Sequence, residues 1–341
     1  MMALRYLLFA VRPSTVWCQG YTYNCLIHLC AVLGRPEEAV TVLRMMYEDG
    51  SPESKPDSYT YTALLRVVTK SQKWDLLPRI FRGMQRSKIE MDTLVWCSLI
   101  SVADKAGRLD VATEYYEASK AHRSGGKADL LICNHYLVAL VHHGPLSAVL
   151  TAYRSMLDDG FQPDVYSFNA LFSAMADAGA SLYAVQDLIS EMAKWNIKMN
   201  THLGTSMIHA YKRCPEMIHG DPRMASLLME RAHDLLNELV SQRQANHQTF
   251  TAVASMHAKL GDIKGVQEVL HLMDTQGVTA DGLAFYHIGK SCEDGGLIEL
   301  SNFFYEKAES RGVQVTDKMQ KIKSRKKNKS KEPAALHWMK Y

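Results

Sequence analysis

Polar and apolar positions along the chain fall into a phased pattern. The string GYTYNCLI opens at residue 20 and returns as SYTYTALL at 58, TLVWCSLI at 93, LLICNHYL at 130, VYSFNALF at 165, THLGTSMI at 201, HQTFTAVA at 247 and GLAFYHIG at 282. The start-to-start spacings are 38, 35, 37, 35, 36, 46 and 35. In six units a glycine follows this first segment: Gly34, Gly107, Gly144, Gly179, Gly261 and Gly296. An apolar-periodic second segment comes next, with Met46, Met84, Met156, Met192 or Met273 near its end. The units close on KPD at 55–57, EMD at 90–92, KAD at 127–129, QPD at 162–164, KMN at 198–200 and TAD at 279–281. The pattern predicts a helix, a glycine turn, a second helix and a breaker whose Asp or Asn suits the N-cap of the next helix.

One such hairpin cannot bury its apolar stripe alone, so neighbours must stack. The expected fold is all-α: a right-handed α-solenoid of about eight helix–turn–helix repeats spanning residues 20–316. Residues 1–19 are read as a targeting segment or N-terminal cap, and 317–341 as a basic, disordered tail. The sixth unit is longer and carries KRCPEMIHGDPRMASLLME at 212–230, read as a loop inserted on one rim.

Charge divides along the same boundaries. The net charge is +3, but residues 1–36 alone carry +3, residues 317–341 carry +7, and the body between them carries −7. A mildly acidic body does not coat nucleic acid indiscriminately; any binding rests on placed residues. The start, MMALRYLLFAVRPSTVWCQG, has Arg, Ser, Thr and aliphatic residues without acid, the composition of a mitochondrial import segment. No apolar run approaches the roughly 18 residues of a membrane span. The seven cysteines include no CxxC pair, which argues against a disulfide framework or a thiolate zinc site. His142 and His143 read as a surface or core feature rather than as ligands, and no metal or other cofactor is expected.

The 35-residue period, the YTYNCLI and VYSFNALF openings, the GRPEEAVTVLRMM and ADAGA segments and the KPD ending resemble the pentatricopeptide repeat (PPR) family, of the P type. No unit shows the full W-x2-L-G-x2-Y opening of the tetratricopeptide repeat; the Leu203-Gly204 pair of the sixth unit has Asn200 and Met207 where Trp and Tyr would stand. The resemblance implies a single-stranded RNA-binding solenoid of a mitochondrion or chloroplast. In that family the fifth residue of a unit and the residue before the next unit read one base together, and the second residue packs beside the base. Carried onto this chain, the pairs are Asn24 with Asp57, Thr62 with Asp92, Cys97 with Asp129, Asn134 with Asp164, and Asn169 with Asn200. They continue as Thr205 with Asn246, Thr251 with Asp281, and Tyr286 with Thr316. The implied preference is 5′-U-G-n-U-Y-A-G-n-3′. Cys97 and Tyr286 depart from the family's usual readers.

The thirteenth residue of a unit, which in this family faces the RNA backbone, gives Lys70, Lys105, Arg213 and Lys259 as phosphate contacts. Val32, His142, Asp177 and Asp294 fill the row in the other units. A second explanation stays open for both sets: the closing Asp and Asn are ordinary N-caps, and Lys or Arg favours a helix C-terminus. Neither the deaminase zinc motif nor a phosphate loop occurs, so no enzyme activity is expected. The functional expectation is a non-catalytic RNA-binding protein of the mitochondrial matrix, acting in RNA processing, stability, editing or translation. Its partners would be single-stranded organellar RNA or rRNA, with other RNA-processing factors. The alternative is a mitochondrial ribosome subunit or assembly factor held among rRNA and ribosomal proteins. A third class is a solenoid that holds a peptide in its groove.

Overall fold

The computed structural model describes residues 20–314 apart from 88, 90, 123–125, 220 and 221. The expected import segment, Thr316 and the basic tail lie outside the described residues. Among those residues every regular element is helical, and the chain forms two compact units, Met1–Pro163 and Asp164–Tyr341.

The first unit holds four hairpins: α1 (Gly20–Leu33) with α2 (Pro36–Asp49), α3 (Ser58–Ser71) with α4 (Leu77–Arg86), α5 (Thr93–Lys105) with α6 (Leu109–Ala121), and α7 (Leu130–His143) with α8 (Leu146–Asp158). The second holds α9 (Val165–Ala178) with α10 (Leu182–Lys194), and α11 (Thr201–Arg213) with α12 (Pro215–His219) and α13 (Pro222–Ser241). It ends with α14 (His247–Lys259) and α15 (Ile263–Thr275), then α16 (Gly282–Asp294) and α17 (Ile298–Ser310). Within each unit the first helices of successive hairpins lie against one another: α1, α3, α5 and α7 in one, α9, α11, α14 and α16 in the other.

Burial explains why the two helices of a hairpin differ in composition. A first helix is flanked by its own partner and by neighbouring first helices, so little of it meets water. In α14, every residue from Thr249 to Ala258 is buried. A second helix buries a single stripe, as Ala39, Val42 and Met46 do on α2 and Val149, Tyr153 and Met156 on α8. Met46, Met84, Met156 and Met273 are fully packed at the ends of their helices, while Met192 is half-exposed.

Five of the six turn glycines have a left-handed backbone, with φ between 61° and 77°. Gly144 differs: it is extended, with φ −111°. Pro145 follows it, and a residue before proline is pushed toward the β region. The expected loop at 212–230 is instead largely helical. Pro215 opens the short α12, and Pro222 opens the 20-residue α13. Proline fits a helix start because its missing N–H has no partner there. Ala225, Leu228, Met229 and Ala232 fall on the buried side of α13, so the insertion lengthens a helix rather than adding an irregular rim.

Candidate nucleic-acid interface

The residues that close the units also start the helices. Asp57, Asp92, Asp164, Asn200, Asn246 and Asp281 each precede a first helix and accept a hydrogen bond from the backbone N–H three residues on, at 2.7–3.0 Å. Asp57 and Asp164 form full capping boxes with Thr60 and Ser167. Asp129 departs from this set. It stands at an N-cap without a side-chain cap bond and instead accepts the Thr93 hydroxyl from the preceding unit. Capping is therefore a structural duty of six of the seven closing residues within the described chain.

The fifth residues sit between neighbouring first helices, and most are nearly enclosed: Asn24, Asn134, Thr205 and Thr251 are 5–8 % exposed. Two reading pairs are brought together by one hydroxyl. Thr60 Oγ1 lies 2.7 Å from Asn24 Oδ1 and 2.7 Å from Asp57 Oδ1. Thr249 Oγ1 lies 3.0 Å from Thr205 Oγ1 and 3.0 Å from Asn246 Oδ1. Each linking hydroxyl is the third residue of the following unit. The 46-residue spacing of the sixth unit thus still places Asn246 beside Thr205. Asn169 has no such link to Asn200, because Leu203 fills the third position; Asn169 Oδ1 accepts the Ser206 hydroxyl at 2.8 Å.

These contacts fix what each reader offers. Asn169 Oδ1 is engaged by Ser206, which leaves its Nδ2 as a donor, while Asn24 and Asp57 share the single Thr60 hydroxyl proton. Thr62, Thr205 and Thr251 donate to the backbone carbonyls of Ser58, Thr201 and His247 at 2.6–2.9 Å, so each presents its oxygen as an acceptor. Asn134 and Asp164, also named as a pair, belong to different compact units. Cys97 is buried and Tyr286 is half-exposed.

The second residues stand out by exposure. Tyr21, Tyr59, Leu94 and Leu131 in the first unit, and Tyr166 and Leu283 in the second, are 45–78 % exposed although large and apolar. His202 and Gln248 complete the row, also exposed. Large apolar side chains repeated in water at one helical position mark a contact surface. Individually these residues were invisible in the sequence, because an exposed Tyr next to an N-cap reads like any first-turn residue. Their signal is the phased recurrence.

Residues seven and eleven positions after the second share its helical face. There Lys70 and Lys105 are exposed and form no ion pair among the described residues, and Arg66 adds a cation at the ninth position. Lys290 occupies that ninth position in the second unit, where it too is exposed. Neither Arg66 nor Lys290 stands out in the sequence, because most units have an uncharged residue at the ninth position. Arg213, by contrast, pairs with Asp177 at 2.7 Å, so the acid of one hairpin neutralises the cation of the next. Lys259 is half-buried; burial lowers its pKa, and Asp294 opposes the shift.

A cleft of about 450 Å³ in the second unit gathers Asn169, Thr205, Thr251 and Asp281 with Arg213 and Lys212. His202, His209, His247 and His287 also line it. Burial, reinforced by Lys259 and Arg213, lowers Lys212 to about 8, and burial with Lys212 and Arg213 lowers His209 to about 4. His287 is lowered by burial and then by Lys212 and Lys290. Burial is the main cause of all three shifts, and neighbouring cations add to each in the same direction, so an anion in the cleft would favour the protonated forms.

The chain matches known proteins in the same phase. Residues 21–70 match the PPR repeat family, 52–106 and 118–178 the pentatricopeptide repeat domain, and 248–278 the PPR repeat. An Arabidopsis thaliana pentatricopeptide repeat-containing protein is 23 % identical over 278 residues, covering 82 % of this chain and 35 % of its own length. A chloroplastic member from the same plant is 22 % identical over 279 residues, covering 82 % of this chain and 47 % of its own. A mitochondrial one is 23 % identical over 174 residues, covering 51 % and 26 %. The chain thus spans about a quarter to a half of the length of these curated relatives. The crystal structure of the pentatricopeptide repeat protein PPR10 in complex with an 18-nt psaJ RNA element superposes with a TM-score of 0.67 at 20 % identity. That match covers 94 % of this chain and 44 % of PPR10. With its phased hairpins, capped first helices and these matches, the chain belongs to the pentatricopeptide repeat family.

Proposed function

We propose that this protein binds single-stranded RNA along the face formed by the first helices, one base per hairpin, without catalysis. The observation that carries the reading is the coincidence of three rows on consecutive first helices: exposed flat or apolar second residues, polar fifth residues tied to their N-cap partners, and basic residues at the ninth and thirteenth positions. Stacking, edge contact and phosphate contact are the three things a single strand requires. The RNA bound by PPR10 and the organellar names of several relatives support placing the function in an organelle, and the acid-free start favours the mitochondrion. Processing, stability, editing or translation of organellar RNA is the process class.

The experiment compares binding of 5′-UGNUYAG-3′ and a scrambled strand at a stated salt concentration. Selective binding that disappears in the Asn134→Ala, Asn169→Ala double variant is the expected result. Equal binding of both strands removes the one-base-per-hairpin reading. Absence of RNA binding together with co-sedimentation with mitochondrial ribosomes replaces it with the structural, ribosome-bound role.

A further inference from the structure

The end of α7 carries two consecutive histidines, and α5 brings an acid to them. Asp104 Oδ1 lies 2.8 Å from His142 Nδ1 and 3.0 Å from His143 Nε2. One donor atom from each of the three residues lies within 4.8 Å of the other two. Consecutive side chains on a helix diverge by about 100°. These two nevertheless converge on Asp104, where Gly144 takes the chain out of the helix: both approach its Oδ1, and His143 Nε2 also lies 2.8 Å from its backbone carbonyl. The ring planes cross at 76°, so the nitrogens approach from two directions. The Asp104 side chain is only 12 % exposed, while those of His142 and His143 are 54 % and 30 % exposed. The acid is anchored between the helices, and the imidazoles lie on its solvent side.

We propose that Asp104, His142 and His143 bind one divalent transition-metal ion of the zinc class and leave a coordination position open to solvent. Two imidazole nitrogens and one carboxylate oxygen are a zinc-type set, whereas calcium and magnesium prefer oxygen ligands throughout. Metal–ligand bonds of about 2.0–2.2 Å place tetrahedral ligand atoms about 3.3–3.5 Å apart. The present separations of 2.8 and 3.0 Å would open by about half an ångström, within the reach of small χ adjustments. When the ion enters, His142 Nδ1 and His143 Nε2 present lone pairs to it and each neutral ring carries its proton on the other nitrogen.

His142 occupies the thirteenth place of its hairpin, the place held by Lys70 and Lys105 in the two hairpins before it. An ion there would supply the positive charge that His142 does not carry permanently, and its open position is suited to a phosphate oxygen. This consequence rests on the RNA-binding reading; the metal site does not.

The test titrates the metal-free full chain with Co²⁺, read by its visible absorption, and with Zn²⁺ by calorimetry. One saturable equivalent is expected. Asp104→Asn and His143→Gln should each weaken it by more than about tenfold. The His142→Gln, His143→Gln variant, which keeps a hydrogen-bonding group at both places, should lose it while melting within a few degrees of the unaltered chain. Lys105→Ala should leave it intact. Absence of a saturable equivalent, or unchanged affinity in the double histidine variant, overturns the proposal. RNA affinity is then measured with and without Zn²⁺. Metal binding without an effect on RNA keeps the metal site and removes the phosphate contact.

Discussion

The two compact units build the same hairpin into different surfaces. In the first, the row of second residues is apolar throughout, with Tyr21, Tyr59, Leu94 and Leu131 in water, and Lys70 and Lys105 are exposed with no ion pair among the described residues. In the second, His202 and Gln248 interrupt the apolar row, Asp177 neutralises Arg213, and histidines crowd a cationic cleft. The fold is indifferent to these substitutions, because the positions concerned lie off the buried stripe. The contrast shows that stacking potential and electrostatic potential can be distributed separately along one repeat array. The first unit presents apolar side chains beside exposed cations, the second polar side chains beside cations and histidines whose charge responds to their surroundings.

The largest expected separation between the units is in stacking. Tyr59→Ala should weaken RNA binding by about 1–3 kcal/mol with unchanged melting, and Gln248→Ala by clearly less. Fluorescence anisotropy with a labelled oligonucleotide checks this; equal losses would erase the distinction. Charge comes next. Replacing Lys70 and Lys105 together by Ala should reduce the slope of log affinity against log salt by about 1.4, at about 0.7 per phosphate contact on a single strand. Arg213→Ala should change it by less than half of that double variant's effect, because Asp177 already holds the guanidinium. A salt series on the three proteins decides, and an equal share from Arg213 would count against the ion pair's persistence in solution.

The smallest effect concerns pH. His209 has a pKa near 4 in the folded chain, against about 6.5 unfolded. The unfolded chain therefore binds more protons between these values, and stability present above pH 6.5 is lost as pH falls toward 4. At pH 5.5 the loss is about 1 kcal/mol. Denaturant titrations of the unaltered chain and His209→Gln at pH 7.5 and 5.5 should show the difference between them shift by that amount. Parallel losses would remove His209 from the account.

Much of the fold was legible because it rests on local chemistry. Apolar period, Gly turns and closing Asp or Asn are each properties of a few adjacent residues. The exceptions show what locality misses. Segment 212–230 contains two prolines and a glycine, the usual signs of a loop, yet α13 forms because Ala225, Leu228, Met229 and Ala232 find a neighbouring helix to cover them. The candidate site was legible as positions but not as contacts. Nothing in the sequence says that Thr60 would join Asn24 to Asp57, that Asp177 would occupy Arg213, or that Asp104 would reach two histidines 38 and 39 residues away. Each of these depends on how one hairpin lies against the next, a distance that no single unit encodes.

If the closing residues meet bases as proposed, their capping duty has a consequence for anyone who would retarget this array. A residue whose side chain must accept the N3 backbone N–H can be chosen only from a short alphabet of Asn, Asp, Ser and Thr. At each of the six capped boundaries, a new recognition letter outside that alphabet would cost about 1 kcal/mol in helix initiation before any base is met. At the Asp129 boundary the constraint is a different one, because Asp129 accepts the Thr93 hydroxyl instead of capping the helix.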